Sequence, residues 1–229
     1  MSRDEPAAES RAALDLTYVL YNDSSILSHA LALLTLTPIL LNPAYAALSV
    51  WTRELLFFEM WAGQMLCECT NYVLKHIIQE ERPNSVSTLL LKPPSVAIDP
   101  RAFTEDLGDG YGFPSSHSQW MGYFASFLIL HFSLQHRFVS TGFRVLDYVR
   151  DILLYTFIIT CAGAVAFSRY YLSYHSIPQV LWGFTIGVIF GSAYYMLVEY
   201  VPRRWPGSFL GKLPHDAADE PGVDLVPPT

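Results

Sequence analysis

The sequence predicts an all-α protein, a polytopic membrane helix bundle with about five spans. Charged residues make up only 15% of the 229 residues, against roughly a quarter in soluble domains, and hydrophobic residues reach 52%. The apolar residues are gathered into long runs that polar segments separate. We therefore expect a polar N-terminal tail at residues 1–25, a transmembrane domain at 26–201 and a polar, disordered tail at 202–229.

Composition and charge exclude several classes of protein. A disordered chain would combine few apolar residues with a high net charge. A nucleic-acid partner is not expected, because such a protein carries a basic patch and the formal net charge here is −7. Cys67, Cys69 and Cys161 are too few for a disulfide framework and lie in apolar segments, so that we expect them to pack in the core. Zinc binding at Cys67 and Cys69 is the alternative, but a second cysteine pair is missing.

The first apolar run, residues 26–41, ends at Asn42 and Pro43. At 1.5 Å per residue this run covers roughly 24 Å, slightly less than the hydrocarbon core of a bilayer. We expect polar flanks or local thinning of the membrane to accommodate it.

The second run, residues 46–74, is long enough to cross a membrane but contains charged residues. Arg53 and Glu54 can lie at one membrane surface. Glu59 and Glu68 are costly in contact with lipid, so that they should face the interior of the bundle. The alternative is an interfacial or partly soluble helix.

Three clearer runs follow at residues 119–134, 152–167 and 180–198, without an acidic or basic residue inside them. The last run carries Gly183, Gly187 and Gly191 at a spacing that places them on one helix face. Small residues at this spacing let two helices approach closely, and we favour packing within the chain over a dimer interface.

Basic residues in the connecting segments predict the orientation of the bundle. They are Arg137, Arg144, Arg150, Arg203, Arg204 and Lys212. These residues place the link between the third and fourth spans, and the segment after the last span, in the cytosol. Residues 76–118 and 168–178 then share the opposite, lumenal side, where two separate loops can form one site.

Two cations lie around the start of the loop at residues 76–118. Lys75 and Arg82 are seven residues apart and share one side if the helix continues, and Pro83 would end that helix. A snorkelling lysine followed by a helix-end arginine is the simpler interpretation.

Serines and histidines precede the third and fifth spans. Ser116 and Gln119, like Ser176 and Gln179, fit a capping box, so that two plain helix starts are the simpler interpretation. The free N–H groups of a helix start also bind anions. The chemical groups available on this side are those of Ser115, Ser116, His117, Arg169 and His175. Together with the two earlier cations they suit phosphoryl transfer, in which cations hold the oxygens, one histidine attacks phosphorus and another protonates the leaving oxygen.

The three segments carry, in order, Lys75, Arg82 and Pro83, then Pro114, Ser115, Ser116 and His117, then Ser168, Arg169 and His175. This order and spacing resemble the signature K-x6-R-P, P-S-x-H and S-R-x5-H-x3-D of the type 2 phosphatidic acid phosphatase superfamily. The resemblance covers about residues 54–195. Within the superfamily the chain most resembles the dolichyl-diphosphatases of the endoplasmic reticulum, through residues such as Glu80, Gly112, Gln119, Tyr171, Tyr174 and Gln179.

The resemblance implies a membrane helix bundle of the superfamily kind and a role for each matching residue. His175 would be the nucleophile that forms a phosphohistidine, and His117 the general acid. The residues that would bind the transferred phosphoryl group are Lys75, Arg82, Ser115, Ser116 and Arg169. Such enzymes work without a metal ion or another cofactor, because three cations can neutralise the charge that magnesium would otherwise carry.

One position departs from the signature, because Gln179 replaces its aspartate. An aspartate would orient the imidazole of His175 and stabilise its positive form. A glutamine can accept the same hydrogen bond but adds no charge. We favour Gln179 as a weaker orienting residue of a subfamily over an impaired enzyme, and expect Gln179→Asp to retain activity.

The resemblance implies hydrolysis of dolichyl diphosphate to dolichyl phosphate and phosphate, which recycles the lipid carrier of protein N-glycosylation. The protein would be a multi-pass protein of the endoplasmic reticulum membrane with its site facing the lumen. Its partners would be this lipid and the bilayer, and no obligate protein partner is evident. Two alternatives are open: a phosphatase of phosphatidate, diacylglycerol diphosphate or a sphingoid phosphate, and a lipid-binding scaffold with an inactive site.

Overall fold

The computed structural model describes residues 11–14, 19–22, 25–80, 82, 111–135 and 138–204. The helices are α1 (Ile26–Leu34), α2 (Thr37–Thr52), α3 (Leu55–Ile78), α4 (Ser116–Leu134), α5 (Arg144–Tyr171), α6 (Ile177–Tyr195) and α7 (Val201–Arg204). A π-helical segment, Met196–Tyr200, joins α6 to α7. The strands β1 (Arg11–Leu14) and β2 (Val19–Asn22) form a small antiparallel pair. The tail beyond residue 204 and most of the loop expected at 76–118 lie outside the described residues.

The helical architecture confirms the predicted fold class of a membrane helix bundle. Three stretches in the described part of the chain are long and apolar enough to cross a membrane: Ile26–Thr52, Arg144–Tyr171 and Ile177–Tyr200. Two further helices, α3 with 24 residues and α4 with 19, have the length of a span but carry more polar side chains. The candidates for the five or so expected spans are therefore of two kinds. Three are apolar stretches, of which the first comprises α1 and α2, and two are helices that carry polar groups.

Helix α4 is the central helix of the bundle. Its residues from Ser118 to Phe127 are buried on almost every side, which is expected of a helix surrounded by others. It packs most extensively against α6, where a Cβ atom on Gly187 would collide with the backbone oxygen of Gln119. The glycine face of α6 therefore packs within the chain, as the sequence predicts.

The breaks between the first helices differ from the prediction. The chain turns at Thr35 and Leu36, and Pro43 lies inside α2 instead of ending it. Pro38 occupies the first turn of α2, where a missing N–H group is tolerated. The predicted run at 46–74 is also divided, because Arg53 adopts a left-handed conformation (φ 58°) between α2 and α3.

The acidic residues of α3 do not both face inward. The buried positions of this helix are Met60, Gly63, Gln64, Cys67 and Asn71. Glu59 lies at the edge of this inward stripe and its Oε2 atom is buried. Glu68 is exposed, so that its predicted inward orientation is wrong. The spacing of three or four residues between buried positions turns Glu68 away from the core.

Helix α5 is longer than the predicted run of 152–167. It begins at Arg144 because Asp147 in its first turn accepts hydrogen bonds from the hydroxyl of Ser140 (2.7 Å) and the backbone N–H of Thr141 (3.0 Å). It ends at Tyr171, so that Ser168 and Arg169 belong to its last turn. This end of α5 lies beside the start of α6, where the functional residues meet.

The N-terminal strands were not expected from the sequence. Val19 of β2 is buried against Ala32 of α1 and Tyr174 of the turn between α5 and α6. This contact places the strand pair at the same end of the bundle as the polar segments.

Candidate active site

Backbone hydrogen bonds join the polar segments at one end of the bundle. The N–H of Ser115 donates to the carbonyl of Gln179 (3.2 Å), which joins the start of α4 to the first turn of α6. The N–H of Gly112 donates to the carbonyl of Glu80 (2.7 Å), which joins the segment after α3 to the segment before α4. Segments that lie far apart in sequence therefore form one site.

A tight turn between α5 and α6 holds Arg169 and His175 in fixed positions. The carbonyl of Arg169 accepts hydrogen bonds from the backbone N–H groups of Tyr174 (3.0 Å) and His175 (3.2 Å). Ser173 closes this turn with a positive φ of 63°. The guanidinium of Arg169 lies over the ring of Tyr174, 4.2 Å from its centroid. Its buried Nε atom has no hydrogen-bond partner among the described residues, which leaves a donor for an anion.

The neighbours of the His175 imidazole determine which of its nitrogens carries the proton. Its Nδ1 atom lies 2.9 Å from the carbonyl oxygen of Gly112 and 3.3 Å from Oε1 of Gln179. Both neighbours are acceptors, so that Nδ1 carries the proton and Nε2 carries the lone pair. Burial, followed by the charges of Arg169, Arg82 and Lys75, lowers the pKa of His175 from 6.5 to about 3. The neutral imidazole is the form that can act as a nucleophile.

Lys75 and Arg82 reach this site by a route that differs from the prediction. Helix α3 ends at Ile78 with Gln79 in a left-handed conformation (φ 52°), so that Arg82 lies outside the helix. The helix ends there, and the charges of Lys75 and Arg82 still act on His175. Three cations, counting Arg169, therefore act on one imidazole.

The start of α4 has no side-chain cap. Ser115 is the N-cap residue, and no side chain among the described residues accepts a hydrogen bond from the first turn. The hydroxyl of Ser118 instead donates to that of Ser115 (3.0 Å). The predicted capping box of Ser116 and Gln119 is wrong, because the Gln119 side chain is engaged in the core. The backbone N–H groups of this turn are thus available to an anion.

Gln119 belongs to a buried polar cluster that fixes α4 against α3. Its Oε1 accepts from Nδ2 of Asn71 (2.8 Å), and its Nε2 donates to the carbonyl of Cys67 (3.0 Å). The Asn71 amide also lies 3.4 Å from the carbonyl of Pro114, directly before the serines. Asn71 is not among the candidate site residues that the sequence predicts. A lone asparagine in an apolar run was its only signal.

The start of α6 has the complete capping box that the sequence predicts. The hydroxyl of Ser176 accepts from the N–H of Gln179 (3.4 Å), and Oε1 of Gln179 accepts from the N–H of Ser176 (3.2 Å). Gln179 thus holds both its own helix start and His175.

His117, the second histidine of the site, lies on α4. It is half-buried in the first turn of α4, and the backbone of Thr35, at the turn between α1 and α2, hydrogen-bonds its imidazole. The charges of Arg169, His175 and Lys75 act on it. The structure therefore brings together all the site residues that the sequence analysis singled out. Within the described ranges, no three His, Cys, Asp or Glu side chains lie together in a way that could hold a metal ion.

Comparison with known proteins identifies the family. The family model described as the PAP2 superfamily matches residues 56–203, which is more than half of the chain. The chain belongs to the PAP2 superfamily. The match spans α3 to α7, so that all the site residues of this PAP2 phosphatase-superfamily protein lie within it.

Several curated relatives of this PAP2 protein are named dolichyldiphosphatase. The protein named dolichyldiphosphatase of Saccharomyces cerevisiae is 34% identical over 82% of the chain and 70% of the relative. Proteins named dolichyldiphosphatase 1 are 33% identical in Dictyostelium discoideum, over 84% of the chain and 74% of the relative, and 32% identical in Homo sapiens, over 84% and 77%. No solved structure matches the chain significantly.

Proposed function

We propose that this PAP2 protein hydrolyses dolichyl diphosphate to dolichyl phosphate and inorganic phosphate. One observation carries the chemistry. Two acceptors hold the proton of His175 on Nδ1, so that Nε2 keeps its lone pair, and the charges of three cations act on this imidazole. The substrate is supported by the names of the curated relatives. A long isoprenoid chain also suits a bundle that presents an anion-binding site at one end.

In the first step, Nε2 of His175 attacks the terminal phosphorus. The bond from phosphorus to the bridging oxygen breaks, and His117 gives its proton to that oxygen, so that dolichyl phosphate leaves. The imidazole keeps its Nδ1 proton, and the phosphohistidine therefore carries a positive charge on the ring.

In the second step, water attacks the phosphohistidine. His117 accepts a proton from this water, the bond between phosphorus and Nε2 breaks, and inorganic phosphate leaves. Both histidines return to their starting protonation states. No redox partner or metal ion is needed for this sequence of bonds.

The remaining residues bind the transferred phosphoryl group. Lys75, Arg82 and Arg169 would neutralise its oxygens, and the Arg169 guanidinium can offer two parallel donors. Ser115 and Ser116 contribute hydroxyl groups, and the uncapped turn of α4 contributes backbone N–H groups.

Phosphate release by the purified protein tests the proposal. In detergent, we expect faster release from dolichyl diphosphate than from phosphatidate, and the same rates with and without a chelator. A marked preference for phosphatidate would overturn the proposed substrate and leave the proposed reaction chemistry in place. Failure to release phosphate from any lipid phosphate or diphosphate would favour the scaffold alternative.

We further propose that the site faces the lumen of the endoplasmic reticulum. The proposal rests on the basic residues of the connecting segments, which favour the cytosolic side. An acceptor sequence for N-glycosylation, inserted between residues 83 and 110, should be glycosylated in microsomes. The same insertion after residue 204 should not be, and the reverse pattern would overturn the orientation.

A further inference from the structure

A carboxylate lies on the far side of Gln179 from His175. Nε2 of Gln179 donates to Oε1 of Glu80 at 2.8 Å, and Oε1 of Gln179 lies 3.3 Å from Nδ1 of His175. Three side chains therefore form a hydrogen-bonded chain: a carboxylate, an amide and an imidazole. An amide suits the middle position because it donates at one end and accepts at the other.

The neighbours of Gln179 permit one orientation of its amide. Its oxygen accepts from the backbone N–H of Ser176 (3.2 Å), and its nitrogen donates to Glu80. Exchange of the two atoms would place the NH₂ group against two donors, the N–H of Ser176 and Nδ1–H of His175. It would also place the oxygen against a carboxylate. Glu80 and Ser176 together keep the acceptor directed towards His175.

Glu80 is also connected to His175 through the backbone. Its carbonyl accepts from the N–H of Gly112 (2.7 Å), and the carbonyl of Gly112 faces Nδ1 of His175 (2.9 Å). A Cβ atom on Gly112 would lie only 2.8 Å from Nε2 of Gln179, which explains a glycine at this close approach. A side-chain substitution of Glu80 leaves the backbone connection in place. Because the residue is exposed, such a substitution also opens no cavity.

The charge of Glu80 matters because His175 becomes positive when it is phosphorylated. Arg169, Arg82 and Lys75 oppose this positive charge, and Gln179 is neutral. We infer that Glu80 is a positioning residue that acts on His175 through the amide of Gln179 and replaces the charge of the aspartate in the superfamily signature. This inference rests on the proposed function.

Steady-state kinetics of Glu80→Gln give the first test. We expect kcat for phosphate release to fall about tenfold with KM within about twofold, because the lost charge acts on the transition state and not on substrate binding. Glu54→Gln, the same change at the exposed start of α3, is the matched control and should behave as the wild type.

A rescue variant separates charge from structure. In the Glu80→Gln background, Gln179→Asp returns a carboxylate to the side of His175 and should recover most of the lost kcat. In the wild-type background the same substitution places two carboxylates together and should give no gain. A double variant as slow as Glu80→Gln would overturn the inference, provided that both unfold at the same temperature as the wild type.

Vanadate binding tests the inference without the lipid. Vanadate forms a five-coordinate adduct with a nucleophile and resembles the transition state, whereas inorganic phosphate does not. Glu80→Gln should bind vanadate about tenfold more weakly and phosphate within about twofold of the wild type. Equal vanadate affinity of the two proteins would overturn the inference. Absence of phosphate release from dolichyl diphosphate by the wild type would instead overturn the proposed function, and the vanadate comparison would still decide the role of Glu80.

Discussion

Two helices begin side by side at the site end of the bundle, and only one of them has a side-chain cap. At the start of α6, Ser176 and Gln179 form a complete capping box. At the start of α4, Ser115 makes no capping hydrogen bond, and Gln119 is turned into the core. The two starts share the pattern Ser-x-x-Gln in sequence, yet they differ in the groups that they leave free.

This difference divides the chemistry between the two helices. The capped start of α6 has a complete capping box, which suits a rigid support for His175, the proposed nucleophile beside it. The uncapped start of α4 keeps N–H donors and two serine hydroxyls for an anion. The predictions below test this division.

Loss of the nucleophile should have the largest effect. We expect His175→Ala to lower phosphate release by at least about 10³-fold and to abolish the phosphohistidine, because the substitution removes the group that the proposed mechanism uses as its nucleophile. Acid-labile and base-stable phosphate on the protein, measured after a rapid quench, monitors the intermediate. Phosphate release at the wild-type rate by this variant would contradict the assignment.

Loss of one hydroxyl at the uncapped start should reduce activity and leave stability unchanged. Ser116→Ala removes one hydrogen bond to a charged group, which corresponds to a decrease of about 10- to 100-fold in kcat/KM. The thermal unfolding midpoint should stay within about 1 °C of the wild type, since Ser116 caps no helix. A variant with wild-type kinetics would show that the α4 start does not bind the phosphoryl group.

Acidic pH should weaken the fold through His175. Its pKa is lowered to about 3 in the folded protein from an ordinary value of 6.5, so that below pH 6.5 the unfolded chain binds a proton that the folded chain does not. The associated stability is complete above pH 6.5 and falls as the pH decreases towards 3. Between pH 7 and 5 the loss is about 2 kcal/mol.

His175→Asn provides the comparison for this prediction, because it lacks the titrating group and keeps a similar volume. Between pH 7 and pH 5, the unfolding midpoint of the wild type should fall relative to that of this variant. A difference that is independent of pH would show that His175 titrates alike in both states.

Loss of the cap at α6 should have the smallest effect. Unlike Ser116→Ala, it should lower stability and leave activity nearly unchanged. Ser176→Ala should lower the free energy of unfolding by about 1 kcal/mol, the usual contribution of an N-cap. Activity should stay within about twofold, because the backbone N–H of residue 176 still binds Gln179. Denaturant unfolding and initial rates on the same preparation provide the measurement. A large loss of activity with unchanged stability would contradict a purely supporting role of the α6 start.

Residue type and spacing alone predict much of this protein. The scarcity of charge predicts a membrane bundle, and the glycines at 183, 187 and 191 predict the close packing of α6. The cations and histidines that meet in the structure are the ones that the sequence singles out. These features are local or compositional, since they depend on hydrophobicity, helical periodicity and the chemical groups themselves.

The breaks between the helices were harder to predict. Pro43 interrupts the apolar pattern, yet α2 continues through it, and the chain turns at Thr35 and Leu36 instead. Likewise Lys75 and Arg82 do not share a helix face, because the helix ends at Gln79 between them. In each case packing against neighbouring helices decides between local conformations of similar free energy.

The sequence by itself determined which groups are available for phosphoryl transfer and that the chain forms a membrane helix bundle. Only the tertiary structure decided how two equivalent Ser-x-x-Gln patterns are used, and which residue supplies charge behind Gln179. The reason is physical. A capping hydrogen bond is worth about 1 kcal/mol, so that a buried partner such as Asn71 can redirect Gln119. Contacts between residues far apart in sequence, such as Glu80 and Gln179, leave no periodic trace in the chain.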